Sequence, residues 1–242
     1  MCGIFGFVTR SGEGPDMKVL KKLALVTESR GGHAFGMAWT EPDGSLQSFK
    51  RPGSASDGLA DLKLVQNATA IAAHCRWATH GSPDCNENNH PHWAGKGWLV
   101  HNGVVSNHLE LIRKHGLKPQ TECDSEVLGL LMAARKGTLL DRTAFVHREA
   151  QGTMAIMGLW TAPVRMLILR DERPLHFGED ERGLYFASLA AGLPGRVNML
   201  RNRKAYKLMP DGDELYMDAR ELKEKQSASD FRTFRKFVPQ FC

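Results

Sequence analysis

The chain has 242 residues, 42% hydrophobic and 24% charged, a balance that fits one globular domain and argues against a disordered or fibrous polymer. Its net charge of +5 comes without any Lys/Arg block, so a nucleic-acid tail is not expected, and no apolar run suits a signal core or a membrane span. Five cysteines, at 2, 75, 85, 123 and 242, form an odd set with no Cys-x-x-Cys pair; this argues against a disulfide framework and for a reducing, cytoplasmic setting.

In chain order, residues 2–8 (CGIFGFV) predict a buried strand that starts at the second residue. Gly14-Pro15-Asp16 opens an amphipathic helix with Met17, Leu20, Leu23 and Ala24 on one face. Strands follow at 35–40 and 45–50 around the turn Pro42-Asp43-Gly44. The run 68–81 (ATAIAAHCRWATHG) reads as a buried strand leaving into a polar loop, and 82–93 as a Pro/Asn/His-rich loop. A further buried strand at 97–102 is broken by Gly103, after which Asn107 and Glu110 suit the N-cap and N3 of a helix. Thr121 and Asp124 begin another helical run, with Val127, Leu128, Leu131 and Met132 on its apolar face.

A helix at 139–150 precedes strand candidates at 153–161, 164–170, 183–187, 197–200, 205–209 and 213–218. We divide the chain into a domain over 2–218 and a charged, then aromatic tail over 219–242, with Phe231, Phe234, Phe237 and Phe241. That tail reads equally as a docking segment or a terminal helix on its own domain. The mixture of helices and strand runs predicts a layered α/β architecture with mainly antiparallel sheets.

Position 2 is where an encoded cysteine becomes N-terminal by simple methionine removal. A thiol attacks as its thiolate, and free Cys titrates near ~8.5, so it needs a base. An α-amine on the same residue titrates near ~7.7–8.0 and can take the proton. By itself Cys2 is better explained as a buried strand residue.

The rest of the chain changes that balance. Met1-Cys2-Gly3-Ile4-Phe5-Gly6, His74-Cys75-Arg76-Trp77-Ala78-Thr79-His80-Gly81, Asn88-Asn89-His90-Pro91-His92, His101-Asn102-Gly103 with Asn107, and Glu122-Cys123-Asp124-Ser125-Glu126 occur in this order. Together they resemble the motif blocks of class II glutamine amidotransferases, which are N-terminal nucleophile hydrolases. The wording is most similar to the glutaminase domain of glucosamine-6-phosphate synthase, here as a stand-alone domain. A weaker block, Arg170-Asp171-x-Arg173-Pro174-Leu175, resembles a later strand of that family.

The resemblance implies a four-layer αββα sandwich, hydrolysis of the side-chain amide of L-glutamine through a Cys2 thioester, and no cofactor or metal. Asn102 and Gly103 suit an oxyanion hole, whose donors are typically worth ~10²–10³ in rate each. Arg76 offers a planar fork for the substrate carboxylate, with Thr79 as an added donor, and Asp124 offers a carboxylate for the ammonium. Trp77 and His80 are implied pocket-lining residues. Asp124 also suits a helix N-cap.

Two stretches depart from the family pattern. Its R-G-Y-D-S-A-G stands here as Arg30-Gly31-Gly32-His33-Ala34-Phe35-Gly36, where His33 is the candidate for a replacement polar contact, and its A-S-E/D stands as Ala187-Ser188-Leu189. No acceptor domain follows in this chain, so ammonia is expected to pass to a separate synthase subunit. Four other readings stand beside this one: a hydrolase of another γ-glutamyl amide, a non-catalytic docking subunit, a nucleic-acid-binding protein suggested by the basic charge, for which no aromatic-basic interleaving is present outside the Phe/Arg tail at 231–237, and a metal site on His74, Cys75, Cys85, His90 and His92. The last has ragged spacing with no tight Cys pair.

Overall fold

Alternation along the first strand sets the layers. In a computed structural model describing residues 1–211 and 214–223, β1 (Gly3–Thr9) sends Phe5 and Phe7 to an outer core and Ile4 and Val8 to an inner one. It lies mid-sheet, between β4 (Ala70–Arg76) and β10 (Gly183–Ala187). The sheet is completed by β2 (Ala34–Thr40) and β3 (Leu46–Pro52) on one side, and by β9 (His176–Glu179) and β11 (Asn198–Met199) on the other.

The second sheet runs β13 (Glu214–Glu221), β12 (Lys204–Asp211), β8 (Arg165–Asp171), β7 (Met154–Trp160), β6 (Gly97–Gly103), β5 (His92–Trp93). Every strand pair in both sheets is antiparallel.

The inner layer is built from small residues facing larger ones. Ala38, Ala70 and Ala72 of the first sheet meet Val100, Met157, Met166 and Ile168 of the second. A Cβ on Gly6 would overlap the Ile71 carbonyl and lie 3.1 Å from Met166 Cε. Overpacking of this kind costs about 1–3 kcal/mol, so the glycine sets how closely the sheets approach.

Outside the first sheet lies α1 (Met17–Glu28), whose Leu20, Leu23 and Ala24 are buried as their periodicity predicts. The Asp16 carboxylate caps it, accepting from Lys18 N at 2.7 Å and Val19 N at 3.4 Å. Outside the second sheet lie α2 (His108–His115), α3 (Glu126–Ala134) and α4 (Leu139–Glu149), joined through a core that includes Leu111, Leu128, Val146 and Leu167. The result is the expected four-layer αββα sandwich.

Several local expectations shift. Asn107 precedes α2 but makes no capping bond; its side chain instead donates to Glu149 O and accepts from Gln151 N, tying the helix start to the end of α4. Helix α3 begins two residues after Asp124, behind Ser125. The strand from 68–81 is Ala70–Arg76 only, and β13 continues to Glu221 rather than 218. Phe231, Phe234, Phe237 and Phe241 lie outside the described residues. Among the described residues, no helix is long and apolar enough to cross a membrane.

Candidate active site

Cys2 immediately precedes β1, where Gly3 pairs with Cys75 near the end of β4. The start of one strand and the end of its antiparallel neighbour therefore meet, which brings Cys2 to the loop that leaves β4. Its Sγ lies 3.3 Å from both the amide nitrogen and the carbonyl oxygen of Trp77, accepting from the first and donating to the second. Arg30 Nε donates to the Cys2 carbonyl at 2.8 Å. A Cβ on Gly31 would come within 2.6 Å of Trp77 N, so only glycine lets the turn after α1 lie against this loop.

The residue is partly exposed, but its sulfur lies deep. Burial raises the Cys2 thiol above its ordinary value, opposed by the Trp77 amide, the chain's terminal ammonium and the Arg76 charge. The resting group is a thiol at neutral pH.

Arg76 is 2% exposed, far from the surface ion pair its charge alone would suggest. Nη1 donates to Asn89 Oδ1 at 2.8 Å, and Nη2 donates to the carbonyls of His80 at 2.5 Å and Gly81 at 3.1 Å. The guanidinium thus folds the 77–81 loop around itself. It has five N–H donors, and these bonds engage three. Trp77 is about half exposed and stacks on His33, centroids 4.5 Å apart. His33 Nδ1 also accepts from Ala78 N at 3.2 Å, and its backbone N–H donates to the Arg76 carbonyl. The residue in place of the family's Tyr-Asp-Ser centre therefore supports the loop by polar contact and by stacking. His80 Nδ1 sits 3.3 Å from Thr79 Oγ1 and 3.7 Å from Asp124 Oδ1.

Asn102 and Gly103 end β6 in the facing sheet, and both are held tightly. Asn102 is 1% exposed, and its Nδ2 lies 3.5 Å from Ser188 Oγ. That same oxygen accepts from Ile4 N at 3.0 Å. Ser188 so connects the strand carrying Cys2 to the Asn102 amide, a link that spacing alone does not disclose. Gly103 has φ +158, and a Cβ there would overlap the Thr153 carbonyl. Asp124 does not cap α3. Its Oδ2 accepts from Val105 N at 2.6 Å, two residues past Gly103, which leaves Oδ1 toward His80.

The eight predicted residues therefore fall into linked groups: Cys2 with the Arg76–His80 loop, that loop with Asp124, and Asn102 with β1 through Ser188. An apolar cavity of about 350 Å³ lined by Phe177, Phe186, Met199 and Tyr206 contains none of them. Its lining holds no cysteine, histidine or carboxylate, so the Cys2 region is the better candidate for amide chemistry.

Comparison with known proteins points the same way. Residues 74–194 match a family model described as glutamine amidotransferase domain. The chain is 34% identical over 229 residues to glutamine–fructose-6-phosphate aminotransferase (isomerizing) of Aquifex aeolicus, covering 89% of this chain and 38% of that protein. The enzyme of the same name from Methanothermobacter thermautotrophicus is 32% identical, with 90% and 37% covered. The chain thus spans well under half the length of these relatives.

Among solved structures, glutamine phosphoribosylpyrophosphate amidotransferase of B. subtilis superposes with a TM-score of 0.71 at 21% identity, over 90% of this chain and 49% of that one. A glutamine aminotransferase class-II domain protein from Silicibacter pomeroyi gives 0.57 at 15% identity, over 92% and 100%. At these identities the superpositions speak for the fold.

Proposed function

From the premise that the chain belongs to the class II glutamine amidotransferase family, we propose that it hydrolyses L-glutamine to glutamate and ammonia with Cys2 as nucleophile. One observation carries the reading: the Cys2 sulfur sits on the Trp77 peptide, inside a loop organised by a buried arginine. Removal of Met1 frees the α-amine of Cys2. That amine, through a water molecule, takes the thiol proton, and the sulfur bonds to the γ-carbonyl carbon of glutamine.

The carbonyl oxygen becomes an oxyanion stabilised by Asn102 Nδ2 and the Gly103 N–H. Collapse breaks the C–N bond, and the Cys2 ammonium returns its proton to the departing nitrogen, which leaves as ammonia. Water then attacks the thioester, releasing glutamate and restoring the thiol. Arg76, with the donors it retains, and Thr79 bind the α-carboxylate. Asp124 Oδ1 binds the α-ammonium, with His80 at its edge. Trp77 covers the pocket.

Ammonia then passes to an acceptor domain or subunit. The free cysteines at 2, 75, 85 and 123 favour a cytoplasmic setting. The test combines mass analysis of the mature N-terminus with ammonia release by wild type and Cys2→Ala. Retention of Met1 in active protein overturns the base, and activity in Cys2→Ala overturns the nucleophile.

A further inference from the structure

Three side chains outside the proposed machinery converge in the interior. His90 comes from the segment entering β5, His92 opens β5 itself, and Cys123 lies in the turn before α3. Each offers a ligand atom, and these atoms lie within 4.8 Å of one another. All three residues are buried, at 3%, 3% and 6% exposure. The rings of His90 and His92 meet edge to face, centroids 4.5 Å apart.

Their polar atoms are poorly served. Among the described residues, neither ring nitrogen of His90 has a hydrogen-bond partner, nor does Nε2 of His92. A buried polar atom left in that state typically costs ~1–3 kcal/mol. Imidazole nitrogens and a thiol, aimed into one small space, are the donor set of a soft metal centre.

We propose that His90, His92 and Cys123 bind a thiophilic d¹⁰ metal ion, Zn²⁺ or Cu⁺. On binding, the Cys123 thiol releases its proton to solvent and a sulfur–metal bond forms, with each histidine giving one nitrogen. Charges of both signs border the cluster, the Asp124 carboxylate with Oδ1 4.0 Å from Cys123 Sγ among them. The Lys50 ammonium lies beside the cluster, donating to the carbonyls of Glu87 at 3.0 Å, Asn89 at 2.8 Å and Pro91 at 3.5 Å. It opposes a dication, whereas the Asp124 carboxylate beside Cys123 favours one. One thiolate offsets the whole charge of Cu⁺ and half that of Zn²⁺, whereas oxygen-seeking ions such as Mg²⁺ find no carboxylate in the set. The three ligands suffice for a trigonal Cu⁺ site, and a tetrahedral Zn²⁺ site would add one small exogenous ligand such as water.

His74 packs against this cluster without joining it. It stacks on His90 with centroids 3.9 Å apart, and its Nε2 lies 3.1 Å from the His101 carbonyl. Cys75 points elsewhere, into the core near the Ala24 carbonyl, and Cys85 is exposed beside Glu87. The sequence cluster is thus split, and its true third member arrives from a distant segment.

The test loads chelator-stripped full chain with Zn²⁺ in one arm and with Cu⁺ under a reducing atmosphere in the other. Bound metal is then counted after desalting. The expected result is about one equivalent retained by wild type, Cys2→Ala and Cys85→Ser in at least one arm, the arms identifying the ion. Retention by Cys123→Thr and His92→Gln should fall at least tenfold.

X-ray absorption of the loaded wild type requires no variant. It should show one sulfur near ~2.3 Å and two nitrogens near ~2.0–2.1 Å for Zn²⁺, and for Cu⁺ the same one-sulfur, two-nitrogen shell. Absence of stoichiometric metal in both arms, retention unchanged in folded Cys123→Thr, loss in Cys2→Ala, or a shell without sulfur overturns the proposal.

Discussion

Replacing Ser188 by alanine tests whether the link between the proposed nucleophile's strand and the proposed oxyanion donor, Asn102, carries catalytic weight. Ser188 is fully buried, and its Oγ accepts from Ile4 N at 3.0 Å and lies 3.5 Å from Asn102 Nδ2. The first contact is a normal hydrogen bond. The second is at the outer limit of one, so it steers the amide weakly. Loss of the hydroxyl leaves the buried Ile4 N–H without this acceptor, which costs about 1–3 kcal/mol of stability. At about 2–4 °C per kcal/mol for a domain of this size, the melting temperature should drop by several degrees.

Asn102 itself remains, so the full oxyanion-donor loss of ~10²–10³ is not expected. Misorientation worth ~1.4 kcal/mol in the transition state gives a tenfold fall in kcat. The KM for glutamine should hardly move, because Ser188 bonds to neither Arg76 nor Asp124. Steady-state ammonia release with a thermal melt reads both quantities. A wild-type kcat in a destabilised Ser188→Ala refutes the catalytic part of the reasoning, leaving a purely structural serine.

Arg76→Lys removes the planar fork that holds Asn89, His80 and Gly81; we expect about 2–4 kcal/mol lost to urea denaturation and a glutamine KM raised at least tenfold. Because burial raises the Cys2 thiol, no standing thiolate exists at neutral pH, so kcat/KM should climb with pH along one ionisation near the ~7.7–8.0 of an α-amine. A profile flat from pH 6 to 9 contradicts that base. Burial raises the Glu149 carboxyl, but bonds from Lys114 at 2.6 Å and His115 at 3.1 Å outweigh it and hold it below its usual range. A depressed carboxyl stabilises above its unfolded value of ~4.3 and loses that contribution as pH falls through the folded one. Glu149→Gln should accordingly be less stable than wild type at pH 7, with the difference closing in acid; a constant gap across both would count against the linkage.

Long apolar elements were legible because their periodicity repeats: β1, β2, β4, β6, β7 and α1 all lie where alternation or a helical face placed them. Short elements were not. β9 has four residues and β5 two, too few for a pattern, and the 3₁₀ stretch Ser56–Val65 contains a kink at Gly58. Within the candidate site, residue types in order named Cys2, Arg76, Asn102 and Asp124. What they could not reveal is who touches whom. Arg76 reads as a charge for a substrate, yet it also folds its own loop. Asp124 reads as a helix cap, yet it receives the Val105 amide instead. His33 against Trp77, Ser188 between Ile4 and Asn102, and Cys123 beside His90 all join distant segments. Such contacts are set by sheet register, which no local pattern encodes.

The interior position of β1 also sets an order of events during synthesis. Its partner β10 is encoded about 180 residues later, so at ~5–20 residues per second the first strand waits roughly 10–35 s for its second neighbour. Throughout that interval the chain's leading end is outside its final sheet and open to the aminopeptidase working at the ribosome. The trimming of Met1 that the proposed mechanism requires can thus be complete before the strand locks. A purification tag placed ahead of Met1 would break that timetable, whereas one at the other end would not.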